Sequence, residues 1–252
     1  MQCLAIDVGN TSVAMGVVSD KQVRNVVHIK GGISSFDEVE QALSDIVLKT
    51  KLDGAVLCSV VPSDNRRWTK VIKKHVGQYP FEVTHTAKLD VSIDYPKPES
   101  IGPDRLANSC GAVAKFGAPV IVADFGTALT FDVISKDASY IGGVIAPGLP
   151  LMTEYLADRT ELLPMISLKG RCGKVGRSTE GAMRIGAHVG YRGMVREIIA
   201  HLKEGLDSEK VALCATGGFA KWVLDDAGMP FAVEPNLTLY GLGRIFTLNC
   251  SD

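Results

Sequence analysis

The stretch CLAIDVGNT at residues 3–11 has the pattern of a short buried strand that ends in Asp7, Gly9 and Thr11. A second stretch, VIVADFGT at residues 120–127, repeats this pattern in the other half of the chain. Each continues into another apolar run, which predicts a β-hairpin whose Asp-x-Gly turn presents a carboxylate, backbone N–H groups and a hydroxyl. Because each half carries one such hairpin, the duplication predicts two related α/β lobes with a cleft between them.

The boundary between the lobes falls at the Gly-Ala-Pro turn of residues 117–119, which predicts domains of 1–117 and 118–252. In the second lobe the pair Gly142-Gly143 predicts a Gly-rich turn. A Thr-Gly-Gly turn at 216–218 suits close approach to an adenosine or phosphate edge. Apolar spacing predicts further helices at 104–115, 149–163, 179–204 and 219–227.

Composition is that of an ordinary globular protein. The 252 residues are 46% hydrophobic and 22% charged, and the net charge of −1 is spread evenly along the chain. This balance gives no electrostatic footprint for nucleic acid or an anionic membrane, and no apolar run approaches the ~18 residues of a membrane helix. The six cysteines include no C-x-x-C, and the N-terminal residues lead directly into a predicted strand, so we expect no signal peptide. We therefore expect reduced thiols and a cytoplasmic location.

The Asp-x-Gly turns carry the chemistry. Glycine lets backbone N–H groups approach an anion, and an adjacent threonine adds a donor for phosphate oxygens. A carboxylate beside a triphosphate normally holds Mg²⁺, directly or through water. The sequence contains neither G-x-x-x-x-G-K-[ST] nor G-x-G-x-x-G, so a bound nucleotide has to use the two hairpins. This combination is typical of a nucleotide-dependent kinase.

The segment Gly102–Arg105 places a carboxylate at the start of a predicted helix. An Asp in such a place most often caps the helix, and the adjacent Arg suits a carboxylate or phosphate partner. Capping and catalysis are compatible here, because the helix fixes the carboxylate where a substrate hydroxyl can reach it. The residues alone leave three candidate bases for proton transfer, namely Asp7, Asp104 and Asp124.

Together these motifs resemble the phosphotransferase superfamily of actin and hexokinase, and more closely the type III pantothenate kinase family. The resemblance runs from about residue 4 to residue 246. It implies actin/ribonuclease H-like lobes with mixed β-sheets flanked by helices, and ATP-dependent phosphorylation of pantothenate, the first step of coenzyme A biosynthesis. The motifs that carry it are DVGNT (7–11), GPDR (102–105), DFGTALT (124–130), GGVIAPG (142–148) and TGG (216–218).

The resemblance also implies cofactors and individual roles. By this resemblance, Asp104 is the proton acceptor and Asp124 is a ligand of a monovalent cation (K⁺ or NH₄⁺). Thr127 contacts ATP, which is used together with Mg²⁺. The resemblance also implies a homodimer, with the helix at 179–204 contributing to the subunit interface. The implied ATP-binding residues are Asp7, Val8, Gly9, Asn10, Thr11, Ser12, Val13, Ala14 and Thr127, and those for pantothenate are Tyr95, Gly102, Pro103, Asp104, Arg105 and Thr179.

Two departures from the family pattern leave questions open. The chain has Val13, Ala14 and Met15 where some members carry a Lys, and Arg177 stands where Lys is commoner. Either Lys174 or Arg177 can approach phosphate. Two other functions also remain open: a different small-molecule kinase of the superfamily, acting on a sugar or another hydroxylated acid, and a non-catalytic nucleotide-binding regulator. For Thr179, helix capping is the alternative to substrate binding.

Overall fold

A computed structural model describes residues 1–19, 22–30, 36–170, 172–206, 208, 210–225 and 227–250. The chain forms two compact units. The first unit contains Met1–Gly117, Ala138–Ile141 and Asn236–Asp252, and the second contains Ala118–Asp137 and Gly142–Pro235.

The first unit is built on a mixed sheet with the strand order β3-β2-β1-β4-β5. β1 pairs antiparallel with β2, which pairs antiparallel with β3, whereas β4 runs parallel to both β1 and β5. The predicted first hairpin is therefore confirmed. The strands are β1 (Gln2–Val8), β2 (Ser12–Ser19), β3 (Gln22–Lys30), β4 (Gly54–Ser59) and β5 (Phe81–Glu82).

Helices cover both faces of this sheet. Alternate residues of a strand point to opposite faces, and one set, which includes Leu4, Ile6 and Met15, packs with helices α1 (Phe36–Leu48) and α2 (Asn65–Val76). The other face packs against two more helices, α3 (Pro103–Phe116) and α8 (Leu237–Cys250). α8 contacts β1, β2 and β4 as well as α3, so it is buried between a helix and the sheet.

The second sheet has six strands in the order β11-β10-β7-β8-β9-β6, and its first five strands, all from Val120 onward in the chain, repeat the arrangement. β7 pairs antiparallel with β8 and parallel with β10, and β10 runs parallel to β11. A single core packs one face of β7 and β8 against α4, α6 and α7. The elements are β7 (Val120–Phe125), β8 (Ala128–Ile134), β9 (Ser139–Pro147), β10 (Ala212–Thr216) and β11 (Ala232–Val233), with helices α4 (Leu149–Arg159), α5 (Thr179–Ile185), α6 (Tyr191–Glu204) and α7 (Ala220–Leu224).

The two sheets share one topology. Counted in chain order within each unit, both read third-second-first-fourth-fifth, with the same antiparallel hairpin and the same parallel fourth strand. The register also repeats, because Asp7 lies opposite Cys58 as Asp124 lies opposite Thr216. The predicted duplication and its mixed sheets flanked by helices are confirmed.

The units differ from the predicted domains 1–117 and 118–252 in two segments. Gly117 is a boundary as predicted, but Ala138–Ile141 and Asn236–Asp252 group with the first unit. The first segment does so because Ser139 and Tyr140 pair in parallel with the short strand β6 (Ser92–Ile93). The second does so because it carries α8, which the sequence did not predict.

The predicted helix at 179–204 is confirmed as an unbroken helical run, in which one turn of π-helix at Gly186–Gly190 lies between α5 and α6. Other local predictions were wrong. Gly142 and Gly143 lie inside β9 and form no turn. The helices predicted at 149–163 and 219–227 are shorter, because α4 ends at Arg159 and α7 covers Ala220–Leu224.

No helix in the described part of the chain combines the length and the apolar character needed to cross a bilayer.

Packing of α8 on α3 depends on Gly241, because a Cβ built there would overlap the carbonyl oxygen of Ala107. We expect Gly241→Ala to lower the free energy of unfolding by at least ~1–3 kcal/mol, as overpacking does. Urea unfolding followed by circular dichroism measures the change. Gly193→Ala on α6 is the matched control, since a Cβ at Gly193 meets no atom within 4 Å and Ala gains about 0.5–1 kcal/mol over Gly inside a helix. Equal midpoints for the two variants would contradict this account of the packing.

Candidate functional site

Two of the three candidate carboxylates lie in the first unit, and both raise the pKa of one buried thiol there. Asp7, near the end of β1, lies opposite Cys58 in the parallel β1–β4 pairing, and the Cys58 thiol forms a side-chain hydrogen bond with it. Cys58 is fully buried. Its pKa is raised well above the usual value, first by burial and then by the nearby charges of Asp7 and Asp104. We call these three residues the first carboxylate cluster.

The start of α3 fixes Asp104. Gly102 is the N-cap and Pro103 the first helical residue, so the predicted capping role falls to Gly102, and Asp104 lies in the first turn. The N–H of Arg105 donates to Asp104 Oδ1 at 2.9 Å. A Cβ on Gly102 would overlap that same oxygen, so glycine leaves the space that the carboxylate occupies.

The electrostatics of Asp104 suit a proton acceptor. Burial raises the pKa of its carboxyl group, and the hydrogen bond and positive charge of Arg105 oppose that rise without cancelling it. A carboxylate with a raised pKa is a stronger base, once ionised, than an exposed one.

The connection between β1 and β2 presents polar groups to solvent. Asn10, Thr11 and Ser12 are exposed, whereas the side chains of Val8 and Val13 are buried and leave only their backbones for a ligand. The N–H of Gly9 donates to the Ser12 carbonyl oxygen at 2.9 Å and closes the turn. The remaining predicted residue of this segment, Ala14, is half-buried in β2.

The second unit assembles a cluster around the second hairpin, which we define as Asp124, Gly126, Thr127, Gly148 and Gly217. Gly217 has a φ of +91°, and a Cβ there would lie 2.5 Å from Asp124 Oδ1. A Cβ on Gly148 would overlap the carbonyl oxygen of Thr127. The Thr-Gly-Gly turn and the start of α4 therefore both press closely on the hairpin that carries Asp124 and Thr127.

The predicted pantothenate residues are divided between the units. Tyr95 and Gly102–Arg105 belong to the first unit, and Thr179 belongs to the second. Thr179 is the first residue of α5 and is exposed, and the N-cap is Ser178, whose hydroxyl accepts from the Gly181 N–H at 3.1 Å. The capping alternative for Thr179 is therefore wrong.

Two residues at the site escaped the sequence reasoning. Cys58 had a usable signal, because a parallel strand after β1 places its last residues beside Asp7. Tyr140 had none, since its contacts with Tyr95 and Arg105 depend on the two-residue strand β6.

The donor groups fit Mg²⁺ held jointly with a substrate. Among the described residues, no three His, Cys, Asp or Glu side chains cluster closely enough to hold a metal ion by themselves. Mg²⁺ usually takes one or two carboxylates and completes its shell with phosphate oxygens and water. In the first unit, the carboxylate of the half-buried Asp7 is a hard oxygen ligand of that kind.

Comparison with known proteins agrees with these motifs. A family model described as type III pantothenate kinase matches residues 3–201. A type III pantothenate kinase of Methylacidiphilum infernorum is 35% identical over 96% of this chain and 87% of its own length. Another, of Akkermansia muciniphila, is 44% identical over 83% of this chain and 84% of its own.

Two solved structures share the fold. A Campylobacter jejuni protein described as a conserved Baf family transcriptional activator aligns with a TM-score of 0.62 and 17% identity, over 97% of each chain. A ROK hexokinase of Thermus thermophilus aligns with a TM-score of 0.51 and 13% identity, over 97% of this chain and 98% of its own. At such identities the likeness concerns the fold alone.

Proposed function

The chain belongs to the type III pantothenate kinase family, and we propose how its residues divide the work of that reaction. The activity is ATP-dependent phosphorylation of pantothenate to 4′-phosphopantothenate, the first step of coenzyme A biosynthesis. The observation that carries the proposal is the first carboxylate cluster, in which the negative charges of Asp7 and Asp104 both act on the buried Cys58 thiol and raise its pKa.

The first hairpin binds the phosphates of ATP. Its exposed turn offers backbone N–H groups and the side chains of Asn10, Thr11 and Ser12, and the neighbouring residues from Asp7 to Ala14 complete the binding segment. Thr127 of the second hairpin adds a hydroxyl. Asp7 would hold Mg²⁺, whose positive charge stabilises the charge that develops on the phosphates.

Asp104 accepts the proton of the pantothenate hydroxyl as that oxygen bonds to the γ-phosphorus and ADP leaves. Its carboxylate is held by the Arg105 N–H, so it needs little reorganisation when the proton arrives. Phosphoryl transfer through a loose transition state depends mainly on such positioning. Tyr95, Gly102, Pro103, Arg105 and Thr179 bind pantothenate.

A cytoplasmic location and a homodimer complete the proposal. For the dimer, the structure favours a different helix from the predicted one. Within 179–204, Val189 is the one large apolar side chain that is exposed. On α4, Leu151 and Tyr155 are both exposed and lie one turn apart. Leu162 and Met165, which follow α4 in the chain, are also exposed. Apolar side chains exposed close together mark interaction surfaces, so we place the subunit contact on α4.

Replacement of Asp104 tests the catalytic assignment. We expect Asp104→Asn to lose ~10²–10⁴-fold in turnover with saturating ATP and pantothenate, the usual worth of general-base help, and to keep its affinity for ATP in calorimetric titration. Asp137→Asn, in the exposed turn after β8, is the control. Turnover at the level of the unaltered protein would exclude Asp104 as the base.

The same variant carries a stability signature. Because burial raises the pKa of Asp104, the stability it contributes is present below the ordinary Asp pKa and is lost as pH rises through the raised value. The neutral Asn avoids that loss. Asp104→Asn should therefore have the higher Tm at pH 7, by a margin that shrinks as the pH falls, and a lower Tm at pH 7 would contradict the assignment of a buried carboxylate.

Cation dependence tests Asp124 as the ligand of K⁺ or NH₄⁺. We expect turnover to require Mg²⁺ and to rise with KCl or NH₄Cl at constant ionic strength, and Asp124→Asn to abolish the response to the monovalent cation. Asp137→Asn should respond as the unaltered protein does. An unchanged potassium titration in Asp124→Asn would remove Asp124 from this role.

Charge placed on α4 tests the dimer. We expect Tyr155→Asp to shift sedimentation velocity from dimer to monomer, since a charge at an apolar contact is desolvated without a partner. Leu48→Asp, at the exposed end of α1, should leave the dimer intact. A dimeric Tyr155→Asp protein would place the contact elsewhere.

A further inference from the structure

Tyr140 lies in the part of β9 that belongs to the first unit, whereas β9 from Gly142 onward belongs to the second. Its backbone is tied to the segment that leads to Tyr95: the Asp94 N–H donates to the Tyr140 carbonyl oxygen at 3.0 Å, and the Ser92 N–H donates to that of Ala138 at 3.0 Å. These bonds extend the parallel pairing of β6 with β9 up to the residue before Tyr95.

The ring of Tyr140 contacts two of the residues assigned to pantothenate. It is fully buried. The ring of Tyr95 meets it nearly edge-on, with centroids 6.0 Å apart and planes at 74°. The guanidinium carbon of Arg105 lies 5.8 Å from the centre of the Tyr140 ring. Both distances lie within the ranges of aromatic and cation–π pairs.

The Tyr140 ring limits the conformations that Tyr95 and Arg105 can adopt. Tyr95 lies in an exposed loop that contains Pro96 and Pro98, and Arg105 has a long side chain at the start of α3. A buried ring beside both side chains restricts their rotamers, and groups held in place before a ligand arrives lose less entropy when it binds.

We propose that Tyr140 is a positioning residue for pantothenate, whose ring aligns Tyr95 and Arg105 without itself touching the substrate. The proposal rests on the proposed function, in which Tyr95 and Arg105 bind pantothenate. Arg105 supplies a cationic fork suited to a carboxylate, and Tyr95 a ring that covers bound substrate. The electron-rich face of the Tyr140 ring is the feature that holds the guanidinium.

The test distinguishes an effect of the Tyr140 ring on pantothenate binding from an effect on folding. We expect Tyr140→Leu to raise KM for pantothenate about tenfold, the effect of losing contacts worth 1.4 kcal/mol, while KM for ATP stays the same. Tyr140→Phe keeps the ring and should restore KM for pantothenate. Pentafluorophenylalanine at position 140 keeps the size of the ring but reverses the charge of its face, so it should raise KM for pantothenate with an unchanged Tm. This variant decides the matter if Tyr140→Leu does not fold.

A double-mutant cycle tests whether Tyr140 affects pantothenate binding through Tyr95. If Tyr140 acts through Tyr95, part of the effect of Tyr140→Leu disappears in a Tyr95→Ala background, because coupled residues are not additive. A pantothenate KM within twofold of the unaltered value in the folded Leu and pentafluorophenylalanine variants would overturn the proposal. If Tyr95→Ala and Arg105→Lys themselves leave that KM unchanged, the binding assignment of the proposed function fails instead.

Discussion

The parallel pairing of the first and fourth strand of each sheet determines what the hairpins can do. It brings Asp7 beside the buried thiol of Cys58 and Asp124 beside the buried hydroxyl-bearing Thr216. Each carboxylate therefore has an uncharged side chain opposite it in the sheet. A carboxylate at the end of a buried strand is suited to cations and protons brought by a substrate.

The duplicated topology gives the two hairpins different surroundings. In the first unit, Asp7 on β1 and Asp104 at the start of α3 both raise the pKa of the Cys58 thiol through their negative charge. In the second, glycines replace side chains: Gly148 and Gly217 let backbone approach the hairpin so closely that a Cβ at either position would collide with it. One strand pattern thus yields a cluster of acidic groups in one unit and a tightly packed backbone around a single carboxylate in the other.

The amino-acid sequence predicted those features of the fold that depend on short segments of the chain. The hairpins, the boundary at Gly117 and α3 follow from local alternation, turn residues and a Gly-Pro helix start. α8 was missed because it is buried against both α3 and the sheet, so its apolar residues surround the helix without forming a one-sided stripe. The Gly142-Gly143 pair looked like a turn because paired glycines are common in turns. It forms a strand instead, because pairing with neighbouring strands outweighs that local preference. Cys58 and Tyr140 matter through partners that are distant in sequence, and no local pattern encodes such partners.

The discontinuous first unit has a consequence for recombination among relatives. α8 covers the face of the sheet opposite α1 and α2 and packs on α3, yet the whole second unit separates it in sequence from the rest of its own core. A fragment that stopped at Gly117 would leave that apolar face open to water, so the unit is not a transferable module. A chimera that exchanges residues 1–117 has to exchange α8 with them. Otherwise α3 and α8 come from different proteins, and the close contact at Gly241 has to form between helices that did not evolve together.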